Sequence, residues 1–136
     1  MLTPILALIV WTLLIWVWLY ATRIPAMKAA KITPAAAQDA SVLKALPLPV
    51  RQIADNYNHL HEQPTLFYAL AVYLHLAGPA DGLSVALAWA YVASRVVHSL
   101  IQCTVNLVPA RFAAFSVGTI LLMVMAGRAL LALATG

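Results

Sequence analysis

The chain has 136 residues, 64% of them hydrophobic and only 9% charged, with a formal net charge of +4. A soluble globular domain carries roughly 25% charged and about 45–50% apolar residues, so this composition reads as an integral membrane protein without a soluble domain. The cations gather mainly in one loop, which excludes a nucleic-acid-binding face and reads as a topology signal.

Four stretches reach the roughly 17–25 residues that a membrane helix needs. The first covers about residues 3–21 and carries Trp11, Trp16, Trp18 and Tyr20. It lacks a basic leader, and its apolar run from Ile5 to Ala21 exceeds the roughly 7–15 residues of a signal-peptide core. We therefore read it as a retained helix. The loop 22–49 follows, with Arg23, Lys28, Lys31 and Lys44, and Arg51 lies just beyond it. Thr33-Pro34 ahead of an alanine run predicts the cap and first turn of a short surface helix, ended by Pro47 and Pro49.

The second span covers about residues 50–77, polar at its start and apolar from Pro64 to Ala77. Gly78-Pro79-Ala80-Asp81-Gly82 is a tight turn by composition. The third span covers about 84–108 and ends at Asn106-Leu107-Val108-Pro109, because the proline clashes with a continuing helix. The fourth covers about 110–134, with Pro109 at its opening, where a missing N–H is harmless. The expected fold is all-α, an integral membrane bundle of four helices. Lysine and arginine mark the cytoplasmic side, which places the first loop and the Arg111 turn there and both termini on the other side. Arg128, near the outer end of the fourth span, reaches the interface by snorkelling.

Polar residues inside the spans are the informative feature. On the third span Tyr91, Arg95, His98, Gln102 and Asn106 recur at helical spacing and share one face. On the second span Arg51, Asp55, His59 and Glu62 form a similar series, with Asn58 adjoining. At about 1.5 Å per residue, Glu62 and His98 both lie roughly 21–23 Å from the outer turn. A lone charge at that depth is costly, so Glu62 is expected to pair with Arg95 inside the bundle. The remaining polar groups exceed what one structural pair requires, and they read as a polar cavity open to the cytoplasm. No familiar zinc motif is present, and no metal site is expected. His75 reads as structural, Phe67, Tyr68 and Tyr73 as packing groups, and Cys103 as a small buried hydrophobe with no partner for a disulfide.

The segment from Asp55 through Glu62-Gln63-Pro64 into Leu66-Phe67-Tyr68 resembles the second-helix signature of the MAPEG family, the membrane-associated proteins in eicosanoid and glutathione metabolism. Arg95-Val96-Val97-His98, then Gln102, Asn106 and Arg111-Phe112, resembles that family's third-to-fourth-helix signature. The resemblance covers nearly the whole chain and is closest to the bacterial branch. It implies a homotrimer in a bacterial inner membrane, with glutathione between protomers near the cytoplasmic face. The implied reaction is a glutathione transferase or peroxidase acting on a lipophilic small molecule that arrives through membrane lipid. Arg111 takes the position that stabilises the glutathione thiolate. Arg95, His98 and Gln102 take the third-helix contact positions, and Glu62 with His59 and Asp55 the second-helix ones. The chain departs from the family with glutamine for tyrosine at Gln102, a histidine for asparagine at His59, and an acid for arginine at Asp55. Arg51, one turn earlier, is the cation placed to compensate. The alternative implied by these departures is a non-catalytic membrane protein that keeps the fold and has lost glutathione. An alternating-access transporter would want an internal repeat or a broken helix, and neither is read here.

Overall fold

Apolar runs that cannot expose their backbone to lipid must close their hydrogen bonds within each segment, and the chain does so as helices throughout. In the computed structural model, which describes residues 1–77 and 80–135, helices are the only regular elements among the described residues. They are α1 (Leu2–Ala29), α2 (Ala40–Leu43), α3 (Leu48–His59), α4 (Gln63–Ala77), α5 (Gly82–Cys103) and α6 (Val108–Thr135). Helices α1, α5 and α6 are each long and apolar enough to cross a membrane. Residues 30–47, the end of α1, the start of α3, the end of α5 and the start of α6 lie at one end of the molecule, called here the loop end. Gly78 and Pro79 of the expected tight turn lie outside the described residues.

The helix bounds differ from the sequence reading in instructive ways. Helix α1 runs past its apolar stretch to Ala29, carrying Thr22, Arg23 and Pro25 within it. Thr22 Oγ1 donates to the carbonyls of Trp18 and Leu19, so its hydroxyl is satisfied on the helix itself. The expected surface helix is much shorter. Thr33 does cap through Oγ1, which accepts from Ala36 N–H at 3.2 Å, but only a 3-10 turn at Ala36–Gln38 follows. The Asp39 side chain then opens α2 by accepting from Ser41 N–H. The Ser41 hydroxyl, then that backbone bond, hold the Asp39 carboxyl below its ordinary range. Pro47 and Pro49 do not end this segment; they begin α3, where proline needs no helical N–H partner.

The second span is not one helix. Leu60-His61-Glu62 form a turn between α3 and α4. A continuous helix would require Pro64 to donate to Leu60, and proline has no N–H and crowds that carbonyl. With 15 residues, α4 extends only about 22 Å. Helix α5 ends at Cys103, short of the proline that was expected to stop it. Asn106 takes a left-handed backbone, φ 48°, a conformation asparagine accepts more readily than most residues, and its N–H closes onto the Ile101 carbonyl at 2.7 Å.

The core is built from Leu8, Ile15 and Leu19 of α1, Ile53 of α3, Phe67, Ala71 and Leu74 of α4, Ala88 and Tyr91 of α5, and Met125 of α6. Helices α5 and α6 pack through Gly118, where a Cβ would sit 2.9 Å from Ser94 Oγ and 3.6 Å from both Gln63 Oε1 and Tyr91 Cε2. Only glycine permits that approach without displacing Ser94, a common device between membrane helices. At the far end, Asp81 caps α5 by accepting from Ser84 N–H at 2.8 Å and pairs with Arg128 of α6. The Ser84 bonds, then Arg128, hold the Asp81 carboxyl below its ordinary range. Arg128, expected from the sequence to reach the interface by snorkelling, is held here by the residue that caps α5. The outward faces remain apolar, with Leu6, Leu13, Leu14, Leu66, Ile120, Met123 and Leu130 all exposed.

Candidate functional site

Helix α5 turns one polar face into the molecule. Tyr91, Ser94, Arg95, His98, Ser99 and Gln102 are all buried, Arg95 at 0% exposure and Gln102 at 1%. The three- and four-residue spacings bring them onto adjoining turns. Helix α3 meets the loop-end half of this face, and Gln52 Nε2 donates to the carbonyls of Cys103 and Thr104 at 3.0 and 3.1 Å. That contact satisfies two acceptors at the frayed end of α5, which otherwise have no helical partner.

Aromatic groups frame the charged centre. The Arg95 guanidinium lies 5.4 Å from the ring centre of Phe115 on α6, within cation–π range. The His98 ring lies 5.9 Å from His59 and 6.1 Å from Phe115. One helical turn away, Phe67 stacks on Tyr91 at 4.5 Å, and the Tyr91 hydroxyl donates to Gln63 Oε1 at 3.3 Å. Gln63 Nε2 donates in turn to Thr119 Oγ1 at 2.8 Å. At the loop end, Arg111 Nη1 donates to Asn106 Oδ1 at 2.8 Å, so the left-handed turn holds the arginine that opens α6.

The inner polar face is not satisfied by the chain. Arg95 Nε, Nη1 and Nη2, His98 Nδ1, Ser99 Oγ and Gln102 Oε1 are buried and make no hydrogen bond. Buried polar groups are normally paired, and an unpaired charge costs most of all. A concentration of such atoms around one arginine makes this face a candidate for acceptors from outside the chain.

The sequence-derived ion pair between Glu62 and Arg95 is not formed. Glu62 sits in the α3–α4 turn, its side chain 64% exposed, and its carboxylate approaches His59 Nδ1 at 3.1 Å without aligning as a hydrogen bond. The turn created by Pro64 is the reason: it takes Glu62 off the helical face that would have carried it inward. Helix α3 also presents two polar faces where one was read. Gln52, Asn56 and His59 face α5, with Gln52 and Asn56 buried, whereas Arg51 and Asp55 line a separate cavity with Arg23 and Lys44. Of the sequence-derived site residues, His59, Arg95 and His98 come together, Gln102 lies one turn beyond, Glu62 touches the group through His59, and Arg51 stands apart. Arg111 lies at the same end, bound to Asn106. The sequence reading missed Gln52, Asn56, Ser99, Gln63 and Phe115. Gln52, Asn56 and His59 have the four-and-three spacing that would have found two of them.

A family model described as the MAPEG family matches residues 1–131. No curated protein and no solved structure matches the chain.

Proposed function

The chain belongs to the MAPEG family, and on that premise we propose that it is a glutathione-binding membrane enzyme of the transferase or peroxidase type, acting on a lipophilic substrate as a homotrimer of four-helix protomers. The observation that carries this reading is Arg95, wholly buried with all three guanidinium nitrogens unpartnered, beside the unpartnered polar atoms of His98, Ser99 and Gln102. These groups fit glutathione, which brings two carboxylates and an amide backbone. Guanidinium is the donor best matched to carboxylate, since it binds through two nitrogens and stays charged when buried.

When bound, glutathione supplies a thiol as nucleophile. The chain's own part is to grip and to polarise. Arg95 holds a carboxylate from behind, and His98 and Gln102 take further polar groups of the peptide. Arg111, anchored by Asn106 at the loop end, contributes a fixed positive charge that favours a thiolate over a thiol. His59 and Glu62 form the exposed rim through which a polar ligand would enter. An apolar co-substrate would reach the same place through lipid along the exposed faces of α1 and α6. In this arrangement α3 and α4 together make the fourth crossing, α4 alone being too short. Trimer assembly would cover part of the exposed apolar surface.

Native mass spectrometry in mild detergent, with calorimetry on the same sample, tests the proposal. The expected result is a three-copy species that retains glutathione and a saturable heat at millimolar ligand. A trimer without heat or retained ligand would leave the non-catalytic reading standing, and a monomer alone would remove the assembly as well. The lysine and arginine asymmetry further supports a topology with both termini outside the cytoplasm. Reporters fused after Thr135 and at Ala36 should then report opposite sides, with the Ala36 fusion cytoplasmic; a cytoplasmic signal from the Thr135 fusion would reverse the orientation.

A further inference from the structure

The residues of α3 that do not face α5 open onto a different feature, a cavity of about 410 Å³ at the loop end. Three elements converge on it. Arg23 comes from the last turns of α1, Lys44 from the end of α2, and Arg51 and Asp55 from successive turns of α3, with Leu43 and Val50 supplying apolar wall. Among the described residues, no hydrogen bond or ion pair engages the side chains of Arg23, Lys44, Arg51 or Asp55, and the Arg51 Nε is itself buried and unpartnered. Three cations against one carboxylate leave the lining with a net charge of about +2, counting side chains at neutral pH.

A solvated basic surface would leave its cations fully in water and would not be concave. Here Arg23 and Arg51 are half-buried, and the volume lies in the range of about 300–1,000 Å³ typical of small-molecule sites. The level of the cavity identifies the ligand class. Arg23 follows closely on the apolar run of α1, and the exposed Trp16 and Tyr20, whose tilted rings lie 4.7 Å apart, come just before it, where aromatic side chains mark a membrane–water interface. A ligand seated there has its polar part at headgroup depth and its apolar part against lipid. We propose that this cavity holds the phosphodiester headgroup of an anionic phospholipid. Arg23 and Arg51 grip the phosphate oxygens, and Lys44 adds a flexible point charge from above. Asp55, one turn from Arg51, offsets one of the three cations.

The test uses the full chain purified in mild detergent and compares three proteins by native mass spectrometry: the natural chain, Arg23→Gln with Lys44→Gln, and Lys28→Gln with Lys31→Gln. The last pair removes the same charge from the end of α1 and the start of the loop after it without touching the cavity lining. Circular dichroism first confirms equal helicity; if the cavity pair unfolds, Lys44→Gln alone replaces it. Phosphatidylglycerol should be retained by the natural chain and the loop variant, with at least a tenfold loss of affinity in the cavity variant. Phosphatidylcholine should be retained weakly by all three. Equal losses in both variants would reduce the effect to diffuse charge and overturn the site. Displacement of the lipid by glycerol phosphate or by glutathione at millimolar concentration would assign the cavity to a soluble anion and overturn the lipid. Neither substituted residue belongs to the α5 face, so glutathione heat measured on the same proteins fails or survives independently.

Discussion

Replacing Arg95 by methionine is expected to stabilise the ligand-free protein and to abolish its glutathione binding. Arg95 is at 0% exposure, and none of its guanidinium nitrogens has a partner in the chain. Such a group carries a heavy penalty of desolvation with no hydrogen-bonded acceptor in the chain to offset it, and the Phe115 face is a weaker substitute. Methionine is unbranched and nearly fills the same volume. Exchanging buried charge for a well-packed apolar group commonly gains about 1–4 kcal/mol. The Glu62–Arg95 pairing read from the sequence predicts the opposite sign, a loss on removing one partner. Thermal melts of ligand-free natural and variant protein decide between them, and glutathione added to each should raise the melting temperature of the natural chain alone. A variant that melts several degrees lower without ligand would mean that Arg95 is already paired, with the neighbouring protomer as the source of its partner.

Arg111→Ala carries the other large effect. Its guanidinium is the proposed stabiliser of thiolate, and it is held in place by Asn106 rather than by an acid, so its charge is not neutralised by that partner. Loss of one positioned electrostatic donor typically lowers turnover by about 10²–10³. The expected signature is disappearance of the thiolate absorbance of bound glutathione near neutral pH, while binding heat is reduced but not eliminated, because Arg95 and His98 remain. Asn106→Gly separates position from charge. Glycine accepts the left-handed backbone at φ 48° without strain, yet removes the amide that orients Arg111. It should raise the pH at which the thiolate appears while leaving the melting temperature nearly unchanged. A full thiolate signal in Arg111→Ala would assign the role to another group.

Composition and periodicity alone determine that this chain is helical and membrane-embedded, because apolar runs of this length have no other way to satisfy their backbone in lipid. The same is true of the α5 polar face: residues three and four apart on a helix are neighbours wherever the helix goes, so Arg95, His98 and Gln102 were legible without a structure. Glu62 shows where that logic stops. Its spacing from His59 is helical, but Pro64 forces a turn over Leu60–Glu62, so the helix stops after His59 and the Glu62 side chain turns outward. Spacing predicts which residues share a face only while the helix is continuous. Gln52 and Arg51 show a second limit. They are adjacent in sequence and equally polar, yet one is buried capping the end of α5 and the other lines the loop-end cavity. At this level the helix is surrounded by protein on two sides, so polarity no longer distinguishes inside from outside. Only the placement of α1 and α5 around α3 decided which polar residue meets which neighbour. Only the packing shows that Gly118 lets α6 approach α5 closely at Ser94, the residue before Arg95.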